Sequence, residues 1–207
     1  MNPPTPKEQL NQAIRNLETV NKTNLPNIYF VGKCGSGKSF SAEYMIKKYD
    51  YQVAKFAYPV YMIAEKYFNM SDKDRKLLQT IGTEAGRYTI DNDIWINRFR
   101  EDMTIVNKTA QLLNKPLNKF VMDDCRFPNE HQTLKALGFV GIYLDVSDDI
   151  RKKRLMDRDG KTQEETFNHP SETLIDTFKD ELIKVDYSQD LYTSYKNLTE
   201  VLKRLVL

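Results

Sequence analysis

A short apolar run, Ile28-Tyr-Phe-Val31, leads directly into Gly32-Lys-Cys-Gly-Ser-Gly-Lys-Ser39, and an amphipathic stretch follows from Phe40 to Tyr49. Strand, glycine-rich loop and helix in that order leave few folds open, because the loop must sit where a strand hands the chain to a helix N-terminus. The spacing G-x-x-x-x-G-K-S is that of a phosphate loop. Gly32, Gly35 and Gly37 let the backbone turn tightly and point successive N–H groups inward. The helix end adds its positive dipole, so an anion is favoured there. Lys38 can reach the outer phosphates, and the Ser39 hydroxyl can ligate Mg²⁺. Nucleotide-binding residues are therefore expected at Gly32, Cys34, Gly35, Ser36, Gly37, Lys38, Ser39 and Phe40. A flexible glycine-rich turn would explain the loop but not the strand before it and the periodic helix after it.

Composition narrows the partners. The chain has 207 residues, enough for one domain with a sizeable core and small mobile insertions. It is 40% hydrophobic and 29% charged, as a soluble globular protein is. A net charge of +2, from 31 basic and 29 acidic residues, lacks the basic footprint of a nucleic-acid-binding protein. The apolar runs are too short to cross a membrane, and Met1-Asn-Pro-Pro-Thr-Pro6 has no signal-peptide pattern. The two cysteines, Cys34 and Cys125, make no disulfide framework, so a reducing cytoplasm is expected.

Helical spacing of Leu10, Ala13, Ile14 and Leu17 predicts an amphipathic helix over 7–20, broken at Asn24-Leu-Pro-Asn27. Strands are predicted at 28–31, 51–57, 120–124, 140–146 and 183–187. Between them lie helices at 40–49, 59–68, the first half of 72–90, a long segment capped by Asp93, 129–137 stopped by Gly138, and a basic helix capped by Ser147. Residues 159–170 read as a polar loop, 171–181 as helical, and 192–207 as a closing helix. Strands alternating with helices define a mainly parallel α/β sheet. Ligands on such sheets sit beyond the C-terminal ends of the strands, so the phosphate loop and Asp123–Asp124 are expected to share one site.

Several residues could carry chemistry. Asp123 continues its strand more directly than Asp124 and is the better candidate to face a metal; the alternative is a pair of turn carboxylates. Arg126 could clamp phosphate in a bidentate way, or form an ion pair with Glu130 or Asp124. Arg151, Arg154 and Arg158 are spaced by three and four and share a helix face. Aimed at a transferring phosphoryl group they would supply catalysis; otherwise they form a solvated face balanced by Asp148, Asp149, Asp157 and Asp159. Gly82 and Gly86 cost a helix about 1 kcal/mol each against Ala, so something is expected close to that backbone. Nearby Gln79 and Arg87 could grip a second substrate. Phe56, Tyr58 or Trp95 could stack on a base, although core packing is the simpler role for each. His131 is expected on a helix surface, and His169-Pro-Ser-Glu172 suggests no mechanism from first principles. With two histidines in all, a His metal site or a Ser-His-Asp triad is not expected.

Together these stretches resemble the deoxynucleoside monophosphate kinases of bacteriophages, within the nucleoside monophosphate kinase group of phosphate-loop kinases. The resemblance rests on Phe30–Ser39, Lys55-Phe-Ala-Tyr-Pro-Val60, Leu78-Gln-Thr-Ile-Gly-Thr-Glu-Ala-Gly-Arg87 and Asp123-Asp-Cys-Arg-Phe-Pro-Asn-Glu130. The basic helix at 151–158 and His169-Pro-Ser-Glu172 also fit, and the match runs over roughly residues 27–200. It implies a three-layer α/β/α kinase fold with a five-stranded parallel sheet, the phosphate-loop strand beside the 120–124 strand, and a small mobile lid at about 150–170. It implies ATP as phosphoryl donor, Mg²⁺ on Ser39 and Asp123, and a deoxynucleoside 5′-monophosphate as acceptor, for the supply of deoxynucleoside triphosphates. Lys38, Arg126, Arg151, Arg154 and Arg158 would be catalytic. Lys55, Phe56, Gln79, Glu84, Arg87, Trp95, Asp124 and Arg126 would line the acceptor, in a region of about 55–114.

The partners expected are small nucleotides, not nucleic acid or a membrane. Residues 1–26 precede the point where such enzymes usually begin, and the stripe at 10–17 could be a homodimer interface. Cys34 and Cys125 stand where the pattern demands no thiol, and could approach each other if their strands are neighbours. Two rival readings stay open: a kinase of a nucleoside or other hydroxyl compound, using Asp123 or Asp124 as base, and a nucleotide-binding module without catalysis.

Overall fold

The computed structural model describes residues 4–159, 167 and 169–206. Five short strands form one sheet: β1 (Ile28–Val31), β2 (Gln52–Val53), β3 (Phe120–Met122), β4 (Val140–Asp145) and β5 (Ile183–Asp186). Their order is β2-β3-β1-β4-β5, and every neighbouring pair is parallel. Ile28 lies opposite Val121 on one side and Val140 on the other, so β1 is central and all four of its residues are buried. The expected three-layer α/β/α kinase fold is present, with the phosphate-loop strand beside the strand that ends before Asp123.

Four of the expected strands end earlier than predicted, β4 and β5 by one residue and β2 and β3 by more. β2 stops at Val53 because the chain leaves the sheet there: the molecule divides into one unit of residues 1–53 and 119–207 and a second of Ala54–Asn118. The second unit covers the region expected to bind the acceptor. β3 ends at Met122, which leaves Asp123 and Asp124 just beyond it.

The N-terminal helix α1 (Pro6–Asn16) begins with a capping box, Thr5 and Glu8 each bonding the other's backbone N–H, with proline at the first position. It stops earlier than its periodicity suggests, because Leu17 is extended. Lys48 Nζ donates to the carbonyls of Ile14 and Leu17 at 3.0 and 2.7 Å, satisfying acceptors at that end. Leu10 and Ala13 are buried with Tyr44, Met45, Tyr195, Leu198 and Leu202 in the main core. The stripe at 10–17 therefore packs within the chain and does not offer the homodimer interface it suggested. Residues 4–26 fall in the larger unit.

α2 (Lys38–Tyr49) follows the phosphate loop, α6 is Pro128–Ala136, α7 is Asp148–Asp159 and the closing helix α9 is Leu191–Arg204. The expected helix at 171–181 is instead a short turn of helix, α8 (Pro170–Thr173), and two 3₁₀ turns. Among the described residues no helix is long and apolar enough to cross a membrane.

His131, expected on a helix surface, is buried. Its Nδ1 lies 2.8 Å from the Tyr29 hydroxyl, its Nε2 lies 3.3 Å from Glu181, and its ring stacks on Phe178. Tyr29 reaches it from β1 across Gly141, where an added Cβ would stand 2.5 Å from the Tyr29 ring and from Leu182. Gly141→Ala should accordingly destabilise the protein by about 2–3 kcal/mol through overpacking. Urea unfolding measures it, and an unchanged midpoint would refute the contact.

Candidate active site

The phosphate loop joins β1 to α2. Gly35 and Gly37 have φ of +86° and +99°, conformations that favour glycine. Gly37 caps α2 without a side-chain bond, so the first N–H groups of that helix face the loop uncovered. Ser36 is buried, and its Oγ has no hydrogen-bond partner among the described residues. Phe40 is 37% exposed on the first turn of α2.

Lys38 folds over this cradle. Its Nζ donates to the Gly32 carbonyl and, at 3.2 Å, to that of Lys33. Burial and the nearby Arg126 lower its pKa to about 8, against the opposing pull of Glu172, Cys34 and Asp123. The ammonium thus sits in a site already rich in positive charge, which an anion would relieve.

Ser39 Oγ donates to Asp123 Oδ2 at 2.8 Å, joining the two residues expected at the metal. Two hard oxygens beside a phosphate cradle are the donor set that Mg²⁺ takes, the rest of its octahedron coming from phosphate and water. The residues fit that ion. Asp124 is half-buried next along the chain, and its charge supports that of Arg126.

Arg126 makes its ion pair with neither Glu130 nor Asp124. Glu130 Oε2 accepts from the backbone N–H groups of Arg126 and Phe127 at 2.7 and 3.0 Å, bracing the turn into α6. The guanidinium instead pairs through NH1 with Glu172 Oε1 and also donates to the Ser171 carbonyl at 3.2 Å. Glu172 Oε2 accepts from the Cys34 N–H at 2.6 Å, on the phosphate loop itself. Sequence reasoning missed Glu172 as a site residue. The available signal was the His169-Pro-Ser-Glu172 run, which carried no mechanism until the fold brought it to the loop.

The arginines of α7 do not form an open face. Arg151 is 4% exposed; its NH1 donates to the Cys34 carbonyl at 2.8 Å and its NH2 to Asp148 at 2.6 Å. Arg154 NH2 donates to the carbonyls of Tyr187 and Gln189, each at 2.8 Å. Backbone oxygens therefore engage both arginines, Arg151 on the phosphate loop and Arg154 on the segment that follows β5. The cause is close packing: a Cβ on Gly35 would lie 2.8 Å from the Arg151 carbonyl oxygen and 3.2 Å from Leu155. The α7 end of the expected lid is thus seated on the loop. Arg158 is exposed near the helix end, and residues 160–166 and 168 of the expected lid lie outside the described residues.

Cys34 and Cys125 are both buried and form no disulfide.

The smaller unit contains α3 (Tyr58–Phe68), α4 (Arg75–Gln79) and α5 (Ile94–Leu112). Between the last two, Thr80–Ile90 forms a wide π-helix, so the expected half-helix runs on through Gly82 and Gly86. What approaches those glycines is Trp95. Its Nε1 donates to the Gly82 carbonyl at 2.7 Å, and its ring would lie 2.6 Å from a Cβ on Gly86. Trp95 and Phe56 are core residues here, 7% and 2% exposed, Phe56 packing on Phe99. Arg87 is buried and donates to the Asn92 carbonyl at 3.0 Å. Lys55 and Glu84 are exposed, and Gln79 is half-buried at the end of α4.

The fold and the loop define a phosphate-loop protein with the kinase architecture. No family model matches the chain. It is 27% identical over 182 residues to a protein of Acanthamoeba polyphaga mimivirus named "Putative deoxynucleotide monophosphate kinase", covering 73% of this chain and 83% of that one. Among solved structures, TT1252 from Thermus thermophilus aligns with a TM-score of 0.57 at 17% identity, over 87% of this chain and 98% of that one. Shikimate kinase from Bacteroides thetaiotaomicron aligns with a TM-score of 0.52 at 17% identity, over 86% and 99%. Both structural likenesses concern the fold.

Proposed function

We propose that the protein transfers the terminal phosphoryl group of ATP to a deoxynucleoside 5′-monophosphate, giving ADP and the diphosphate. The observation that carries this is the charge around the loop. Backbone amides, Lys38 and Arg126 converge at one anion cradle, beside the Ser39–Asp123 pair. The mimivirus relative's name supports the acceptor class.

In this reading the loop amides and Lys38 receive the donor phosphates, and Lys38 exchanges the Gly32 and Lys33 carbonyls for phosphate oxygens. Ser39 and Asp123 would hold Mg²⁺, which offsets the charge of the polyphosphate. Arg126 stabilises charge on the group in transit. A nucleotide phosphate has a second pKa near ~6 and is already ionised at neutral pH, so the acceptor needs no general base. Asp123 is engaged by Ser39, which disfavours it as the base a hydroxyl acceptor would require. We assign acceptor recognition to Lys55, Gln79, Glu84 and Arg87 of the smaller unit. Phe56 and Trp95 shape that unit's core, and Arg158 completes the charge supplied by α7. Arg151 acts by holding the phosphate loop, and Arg154 by holding the segment that follows β5.

The deciding experiment is a coupled assay of ADP release with ATP, Mg²⁺ and each common deoxy- and ribonucleoside monophosphate, against the corresponding nucleosides. Turnover with one or more deoxynucleoside monophosphates and none with nucleosides is expected. Turnover with nucleosides alone, or ATP binding with no acceptor used, would overturn the proposal.

A further inference from the structure

We propose that Glu172 is a positioning residue that fixes Arg126 against the phosphate loop. The inference rests on the kinase reading above, in which Arg126 meets the phosphates.

The two oxygens of one carboxylate divide the work. Oε2 accepts from the Cys34 N–H of the loop, and Oε1 takes NH1 of Arg126. A single side chain therefore sets the guanidinium relative to the loop amides. The Ser171 carbonyl gives the same NH1 a second acceptor. The turn that carries Glu172 is itself held: His169 Nδ1 accepts from the Ser171 N–H at 3.2 Å and lies 2.9 Å from the Ser171 hydroxyl, with Pro170 opening the turn. The Glu172 side chain is 4% exposed, whereas that of Arg126 keeps 29% of its surface open.

Electrostatics points the same way. Burial raises the Glu172 pKa, but Arg126, Lys38 and the Cys34 N–H outweigh it and hold the carboxyl below its usual range. A buried anion beside a phosphate cradle repels the incoming polyphosphate. Its placement is useful only if it orients positive charge that does more for the transferring group than the carboxylate takes away. Arginine on its own long stem must be immobilised for each turnover; held in advance, it meets the developing charge without reorganisation. The contact spans 46 residues of sequence on one side and 138 on the other, so it also ties α8 to both β1 and β3 through their following loops.

The test is a double-mutant cycle with Glu172→Gln, Arg126→Ala and the pair, with Glu172→Asp as a second variant that keeps the charge but is too short to reach both partners. Folding of each is checked by thermal melting. Glu172→Gln should lower kcat roughly 10- to 100-fold with a smaller change in KM for ATP. In the Arg126→Ala background it should cost nothing further, because Glu172 acts through that arginine. Glu172→Asp should behave like Glu172→Gln. Losses that multiply, or a Glu172→Gln protein that binds ATP more tightly at undiminished turnover, would overturn the proposal; the second result would make the carboxylate a competitor of phosphate. Should the wild type phosphorylate no acceptor, the kinase reading fails by itself. The same cycle in ATP dissociation constants, by calorimetric titration, then decides the pairing: non-additive losses support it and additive losses refute it.

Discussion

Lys38→Ala should abolish most turnover while leaving a protein no less stable than the wild type. The loss in kcat is expected at about 10²- to 10³-fold, the scale on which removing one preorganised charge-stabilising donor acts. The stability change has the opposite sign. Lys38 is held at a pKa of about 8 in the fold against 10.5 in an ordinary setting. Below pH 8 the lysine is charged in both states, and the folded state bears the cost of burying that charge near Arg126. As pH rises from about 8 to 10.5, the folded lysine sheds its proton before the unfolded one, so wild-type stability should rise across that window. The displacement corresponds to an order of 3 kcal/mol at 1.36 kcal/mol per unit. Lys38→Met, which keeps the apolar stem, should therefore be more stable than wild type at pH 7 by about 1–3 kcal/mol and lose the rise above pH 8. Urea titrations at pH 7, 8.5 and 10 read both effects. Wild-type turnover in Lys38→Ala would end the assignment, and a pH-independent gap between wild type and Lys38→Met would remove the electrostatic explanation.

Gly35→Ala is expected to injure fold and function together. The residue has φ of +86°, and a Cβ there would meet the Arg151 carbonyl oxygen at 2.8 Å. That oxygen belongs to the α7 backbone and cannot rotate away as a side chain would. Left-handed backbone costs a non-glycine residue roughly 1–2 kcal/mol, and the overpacking adds about 1–3 kcal/mol. Gly138 provides the control. It is also left-handed, at φ +76°, but nothing lies within 4 Å of its missing Cβ. Gly138→Ala should show the conformational cost alone, so the difference between the two melting curves isolates the contact of α7 with the loop. Because Arg151 also donates to the Cys34 carbonyl, Gly35→Ala should weaken ATP binding as well. Equal effects of the two substitutions on stability, with ATP affinity unchanged, would show that α7 does not set the shape of the loop.

Much of the site is readable in the chain because local rules encode it. A phosphate loop needs its glycines, lysine and serine at fixed spacing, and the strand and helix around it follow from apolar patterning. Asp123 announces itself as a carboxylate at the end of a buried run, and Ser39 Oγ indeed meets it across 84 residues. Other residues look different once packed. The glycines at 82 and 86 pointed to something close to the backbone without saying what, and Trp95 of the same unit is what comes close. Arg151 and Arg154 were expected to aim at a transferring phosphoryl group, but helical spacing shows which residues share a side, not what that side meets.

The sequence alone determined the phosphate loop and the parallel α/β class, since each depends on spacing or on the period of apolar residues. Only the tertiary structure decided that Glu172 joins Arg126 to the loop, that Arg151 and Arg154 are taken up by carbonyl oxygens, and that the 10–17 stripe is internal. Those outcomes depend on which distant segments the crossing connections bring together. Burial then demands a partner for every charge and carbonyl that arrives there, a demand no local pattern can state in advance.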